Sequence, residues 1–136
     1  MGFFDRAHRW NTVLFTAFVL GLLFVYTGVW QLAFFAGLFA GILGKTGRRD
    51  FLLGFLGVGL AWAGHLLWFY LFFPAGELAS LFAEILGLSA GMGFVVPLLA
   101  VLIGGVAGGL GGLAGAYLGQ LAYPQNPRSA GAESEP

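Results

Sequence analysis

The chain has 136 residues, about one domain's worth, of which 59% are hydrophobic, 9% are charged and 24 are glycine. A soluble domain carries about 25% charged residues, so this composition argues against a water-soluble enzyme and against a disordered chain, and points to an integral membrane protein. With zero net charge, six scattered cations and no cysteine, nucleic acid is not an expected partner, and disulfide and thiolate chemistry is excluded.

Arg6 and Arg9 open the chain and are followed by an uncharged run of 34 residues, from Asn11 to Gly44. A bilayer core of about 30 Å takes roughly 20 apolar residues per helix, with about 17 as the lower limit. The run is too long for one span and just long enough for two short ones, about 11–27 and 29–44. Tyr26-Thr27-Gly28 is the natural break, because glycine supplies turn geometry and Tyr26 and Trp30 are interface residues. No small-residue cleavage site follows, so the first segment is read as retained rather than as a leader.

Lys45, Arg48 and Arg49 form the next basic block, ahead of a third apolar span at 51–73. Pro74 stops that helix. The following stretch, 76–88, reads as a short amphipathic helix in the membrane interface. Glu77, Ser80 and Glu84 are expected on its wet face, and Leu78, Leu81, Phe82, Ile85 and Leu86 on its apolar face. A fourth span is expected at 94–121. The polar, proline-bearing segment 124–136 reads as a disordered cytoplasmic tail, leaving 1–123 as a single transmembrane domain.

Cations accumulate on the cytoplasmic side of plasma-membrane proteins. Four spans put Arg6, Arg9, Lys45, Arg48 and Arg49 on that side, with both termini, and leave Glu77 and Glu84 outside. The expected fold is therefore all-α, with four transmembrane helices and one interfacial helix, in the plasma membrane.

An offset of 43 residues aligns Leu38–Ala79 with Leu81–Ala122 at 13 identities in 42 positions, including Leu-Phe-Ala-x-Ile-Leu-Gly in both copies. Such a repeat would make the third and fourth spans equivalent but opposite in direction.

Small residues let helices approach closely in lipid, where no hydrophobic force acts between them. Gly37 and Gly41 mark the second span, Gly54 and Ala61 the third. The fourth has eight glycines in sixteen residues, with Gly104-Gly108-Gly112 and Gly111-Gly115-Gly119 at four-residue steps. These ladders suit packing within the chain. They also suit a seam in a homo-oligomer or a larger membrane complex.

His65 is the one basic or acidic side chain within a span, and an intramembrane ionisable residue is a candidate functional group by default. Trp68 lies three residues on. The competing reading is a histidine bonded to a backbone carbonyl or to the hydroxyl of Tyr70 or Tyr117. No second ligand stands at helical spacing, so no metal or cofactor is expected. No nucleophile set, paired intramembrane carboxylates or nucleotide loop is present, which argues against an enzyme. The functional expectation is a structural or accessory membrane protein that packs into an oligomer or larger complex. Its alternative is an oligomeric channel or small-solute or proton transporter, with His65, Trp68, Glu77 and Glu84 along the pathway.

Overall fold

A computed structural model describes residues 2–44 and 47–122, with 2–9 and 90 described by their backbone alone. Among the described residues five α-helices follow in order: α1 (Gly2–Val25), α2 (Leu32–Leu43), α3 (Gly47–Phe72), α4 (Ala75–Ile85) and α5 (Val95–Ala122). A single 3-10 turn, Ala90–Met92, precedes α5, and no strand occurs among the described residues. Lys45 and the segment 124–136 lie outside those residues.

The chain reverses after α1 at the expected glycine. Gly28 has φ +71°, a conformation that favours a residue without Cβ. The Thr27 hydroxyl donates to the Phe24 carbonyl at 2.6 Å and accepts from the Val29 amide at 3.3 Å. The reversal uses more residues than expected. The Leu32, Ala33 and Phe34 amides bond the carbonyls of Val29, Trp30 and Gln31 at 3.1–3.2 Å, the tight i to i+3 pattern. The second span, expected at 29–44, is therefore a helix of 12 residues. At 1.5 Å per residue it is about 18 Å long, short of the roughly 30 Å bilayer core.

Among the described residues two helices, α3 and α5, are long and apolar enough to cross a membrane, against the four spans expected. The apolar part of α1 is Trp10–Val25, below that length. Beyond Pro74, α4 stops at Ile85 instead of continuing to 88. Gly87 at φ +78° turns the chain, its amide bonding the Glu84 carbonyl at 2.9 Å and the Leu88 amide that of Ala83 at 2.8 Å. These paired bonds satisfy carbonyls that a helix end otherwise leaves open.

Contacts along the helices set their directions. Trp10, Ala17 and Tyr26 of the first segment meet Arg49, Gly57 and His65 in the same order, so α1 and α3 run parallel. Gly37 and Gly41 meet Gly108 and Gly112, so α2 and α5 run parallel. Phe51, Phe55 and Trp62 cover Gly109, Gly105 and Gly104, so α3 and α5 are antiparallel. The four longer elements thus alternate in direction, and α4 sits at one end of the bundle.

The offset of 43 carries α2 onto α4 and most of α3 onto α5 in sequence. Packing does not repeat. α2 lies along α5 through close backbone contact, whereas α4 buries only Ala79 and Ala83.

The interior is sorted by size. Among the described residues Val13 and Val58 are the largest fully buried side chains, and apart from Asp50 the rest of the core is alanine and glycine. Large apolar side chains point outward, among them Phe15, Leu23, Leu71 and Leu121. In water that arrangement would leave most of the chain's hydrophobic surface unburied.

Candidate functional site

The glycine ladder of α5 lies between α2 and α3, and all eight of its glycines are buried within the chain. One side meets α2 backbone: a Cβ on Gly111 or Gly115 would overlap the carbonyl of Phe34 or Leu38, and on Gly119 it would lie 2.8 Å from that of Ile42. The other side meets α3, where Trp62 lies 3.0 Å from the Cβ position of Gly104 and Phe55 at the same distance from that of Gly105. Gly108 and Gly112 touch both neighbours. From α2, a Cβ on Gly37 or Gly41 would fall on the carbonyl of Gly108 or Gly112. From α3, the Cβ position of Gly54 is 2.5 Å from the Gly108 carbonyl.

The small residues of α3 do not share one partner. Gly54 faces α5, whereas Gly57 and Ala61 face Ala17 and Gly21 of α1. Gly64, which continues the stripe, has nothing within 4 Å of its Cβ position.

His65 is half-buried at the level of the α1–α2 turn, seven residues short of the end of α3. Its ring meets Tyr26 edge-on at 5.3 Å and Phe69 at 4.9 Å. Trp68 packs against Phe72, ring centroids 4.1 Å apart, whereas the ring contacts of His65 are Tyr26 and Phe69. Of the expected hydroxyl partners, Tyr117 belongs to the opposite end of the bundle, where its ring lies 3.7 Å from the Cβ position of Gly47, and the tyrosine beside His65 is Tyr26. Sequence spacing missed this pair because Tyr26 and His65 meet only through the register of α1 on α3.

Around α4 the residues fall into three sectors rather than two. Glu77 and Glu84 are exposed on one, and Leu78, Leu81, Phe82, Ile85 and Leu86 are exposed on the next. The third, Ala79 and Ala83, is buried. Ser80 belongs with that docked side rather than the wet face. Its hydroxyl donates to the Gly76 carbonyl at 3.0 Å and lies 2.7 Å from the Cβ position of Gly93.

The opposite end carries the basic groups. The guanidinium of Arg49 stacks over the Trp10 ring at 4.3 Å. Arg48 is exposed beside it in sequence, and Arg6 and Arg9 lie in the early turns of α1. Asp50, which the charge pattern passes over, is buried where α2, α3 and α5 converge. A Cβ on Gly44 would overlap its carboxylate, and one on Gly112 would overlap its backbone carbonyl. The signal for it in the sequence is a lone acid following two arginines at the start of an apolar run.

No group of histidine and acidic residues capable of holding a metal ion occurs among the described residues. No family model matches the chain, and no curated protein or solved structure shows significant similarity to it.

Proposed function

We propose that this is a small polytopic plasma-membrane protein with a structural or accessory role, joining further copies of itself or a larger membrane complex. The observation that carries the reading is the size-sorted interior. A bundle cored by glycine, alanine and two valines, with its leucines and phenylalanines outside, is stable where the surroundings are as apolar as the exposed side chains.

The reading includes four crossings, by α1, α2, α3 and α5, with both termini cytoplasmic. Their alternating directions support it, as does the separation of Trp10 and Arg49 at one end from Glu77 and Glu84 beyond the other end of α3. The short α2 is accommodated by local thinning of the bilayer and by the interfacial residues of the turn, Tyr26 and Trp30. The exposed apolar sector of α4 lies in the outer interface, with its carboxylates in water.

Because the glycines of α5 are enclosed by α2 and α3, association uses the outward aromatic and leucine surface rather than the ladders. His65 is assigned a packing role in this reading, since its ring neighbours are aromatic and it lies level with a turn.

The chain has no native cysteine, so single cysteines report topology without background. Thr27→Cys and Glu84→Cys should react with an impermeant maleimide from outside intact cells, and Arg48→Cys only after the cells are opened. Labelling of Thr27→Cys and Arg48→Cys from the same side would refute four crossings. Gentle detergent extraction followed by mass spectrometry tests the role. A defined partner set or multimer is expected, and a chain recovered alone as a monomer would refute it.

A further inference from the structure

We infer that the flank of the α1–α3 pair is a binding site for one anionic phospholipid, its phosphate on Arg49 and an acyl chain in the groove between the helices. The site presupposes the membrane crossing proposed above and adds a ligand to it.

A groove of about 510 Å³ runs along this flank, lined by Asn11, Thr12, Leu14, Phe15 and Phe18 of α1 and by Leu60 of α3. Its character changes along its length. Asn11 and Thr12 form one end, and from Leu14 onward the lining is apolar. Asn11, Leu14, Phe15 and Phe18 follow the three- and four-residue spacing of one helix face. On α3, Arg49 and Leu60 are eleven residues apart, about three turns, and so share a face. Trp10 precedes Asn11 in α1, so the guanidinium stacked on it lies beyond the lining itself, at the level of the groove's polar end.

The chemistry of that end selects an anion. Stacking holds the guanidinium by its face and leaves its N–H edge to donate to phosphate oxygens, an arrangement lysine does not offer. Arg48 adds positive charge close by in the chain, and the early turns of α1 carry Arg6 and Arg9. Basic pockets between membrane helices on the cytoplasmic side hold anionic headgroups for this reason. A phosphatidylcholine presents the same phosphate but adds a quaternary ammonium, which the cationic end disfavours.

A second groove of about 420 Å³, lined by Trp30, Trp62, Ala100, Ile103 and Gly104, provides the contrast. Neither lining includes a charged residue, but the second groove, with Trp30 of the α1–α2 turn and Trp62, lies away from Arg49 and so has no basis for choosing between headgroups.

The test is native mass spectrometry of the full chain in mild detergent, titrated with phosphatidylglycerol and phosphatidylcholine of identical acyl chains. One juxtamembrane cation corresponds to about a fivefold preference for the first phosphatidylglycerol bound. Arg49→Gln should remove most of that preference. Leu60→Trp should lower the binding of both by filling the groove, and Ile103→Trp, in the second groove, should leave the preference intact. Circular dichroism of each variant confirms retained helix. Equal occupancy in the parent protein, or an undiminished preference in helical Arg49→Gln, would overturn the lipid site alone. Release of the chain from membranes by alkaline carbonate would overturn the crossing, and the site with it.

Discussion

Gly37 of α2 and Gly108 of α5 approach so closely that a Cβ on Gly37 would occupy the position of the Gly108 carbonyl. The clash would be with backbone, which cannot rotate away as a side chain does. Gly37→Ala is therefore expected to lower stability by about 1–3 kcal/mol or more, the range for overpacking a tight interior. Gly64→Ala is the matched control, since nothing lies within 4 Å of its Cβ position. There alanine should stabilise by about 0.5–1 kcal/mol through backbone entropy. Reversible unfolding in mixed micelles measures both.

Gly108→Leu separates two uses of the glycine ladder. Its Cβ would lie 2.6 Å from Val58, inside the chain's own core. The expected result is loss of the folded monomer, read as protease sensitivity and loss of cooperative melting. A folded, monomeric Gly108→Leu protein obtained from an oligomeric parent would instead assign the ladder to a seam between subunits.

The Trp10–Arg49 stack joins the start of α1's apolar run to the start of α3. A double-mutant cycle with Trp10→Leu and Arg49→Gln should give a coupling of about 0.5–1 kcal/mol, as for an exposed cation–π pair. Additive effects would mean that the two groups stand together without energetic consequence.

His65 packs between Tyr26 and Phe69. His65→Ala should cost about 0.5–1.5 kcal/mol of aromatic contact, and His65→Phe should recover most of it. Proton flux into liposomes should be the same for both variants as for the parent. A flux present in the parent and absent from His65→Ala would place the histidine on a proton pathway.

At Gly87, φ of +78° is left-handed, and alanine there is strained even though nothing lies within 4 Å of its Cβ position. Gly87→Ala is expected to fray the last turn of α4 at a cost of about 1 kcal/mol or more, detectable as faster amide exchange at Glu84–Leu88.

Several features were legible from residue type alone. Gly28 announces a chain reversal because only glycine adopts its backbone angles without strain, whereas Gly87, which turns the chain in the same way, is expected inside the helix 76–88. Pro74 closes α3, and the long apolar runs at 51–73 and 94–121 contain α3 and α5 to within a few residues. The length of α2 was not legible, because Val29, Trp30 and Gln31 are apolar or neutral and nothing in their chemistry distinguishes a tight turn from the first turn of a helix. The buried Asp50 was not legible either. Its burial results from the convergence of three helix segments.

Composition by itself determined that the chain is helical, apolar and poor in interior side-chain volume, since 24 glycines and few charges permit little else. Tertiary structure decided which helix each glycine touches. In a uniformly apolar helix, inside and outside differ in size and not in polarity, so no hydrophobic face points to a partner. Gly54, Gly57 and Gly64 lie on one helix within a few turns, yet they meet α5, α1 and open space respectively. Only the register of α1 and α5 against α3 separates them.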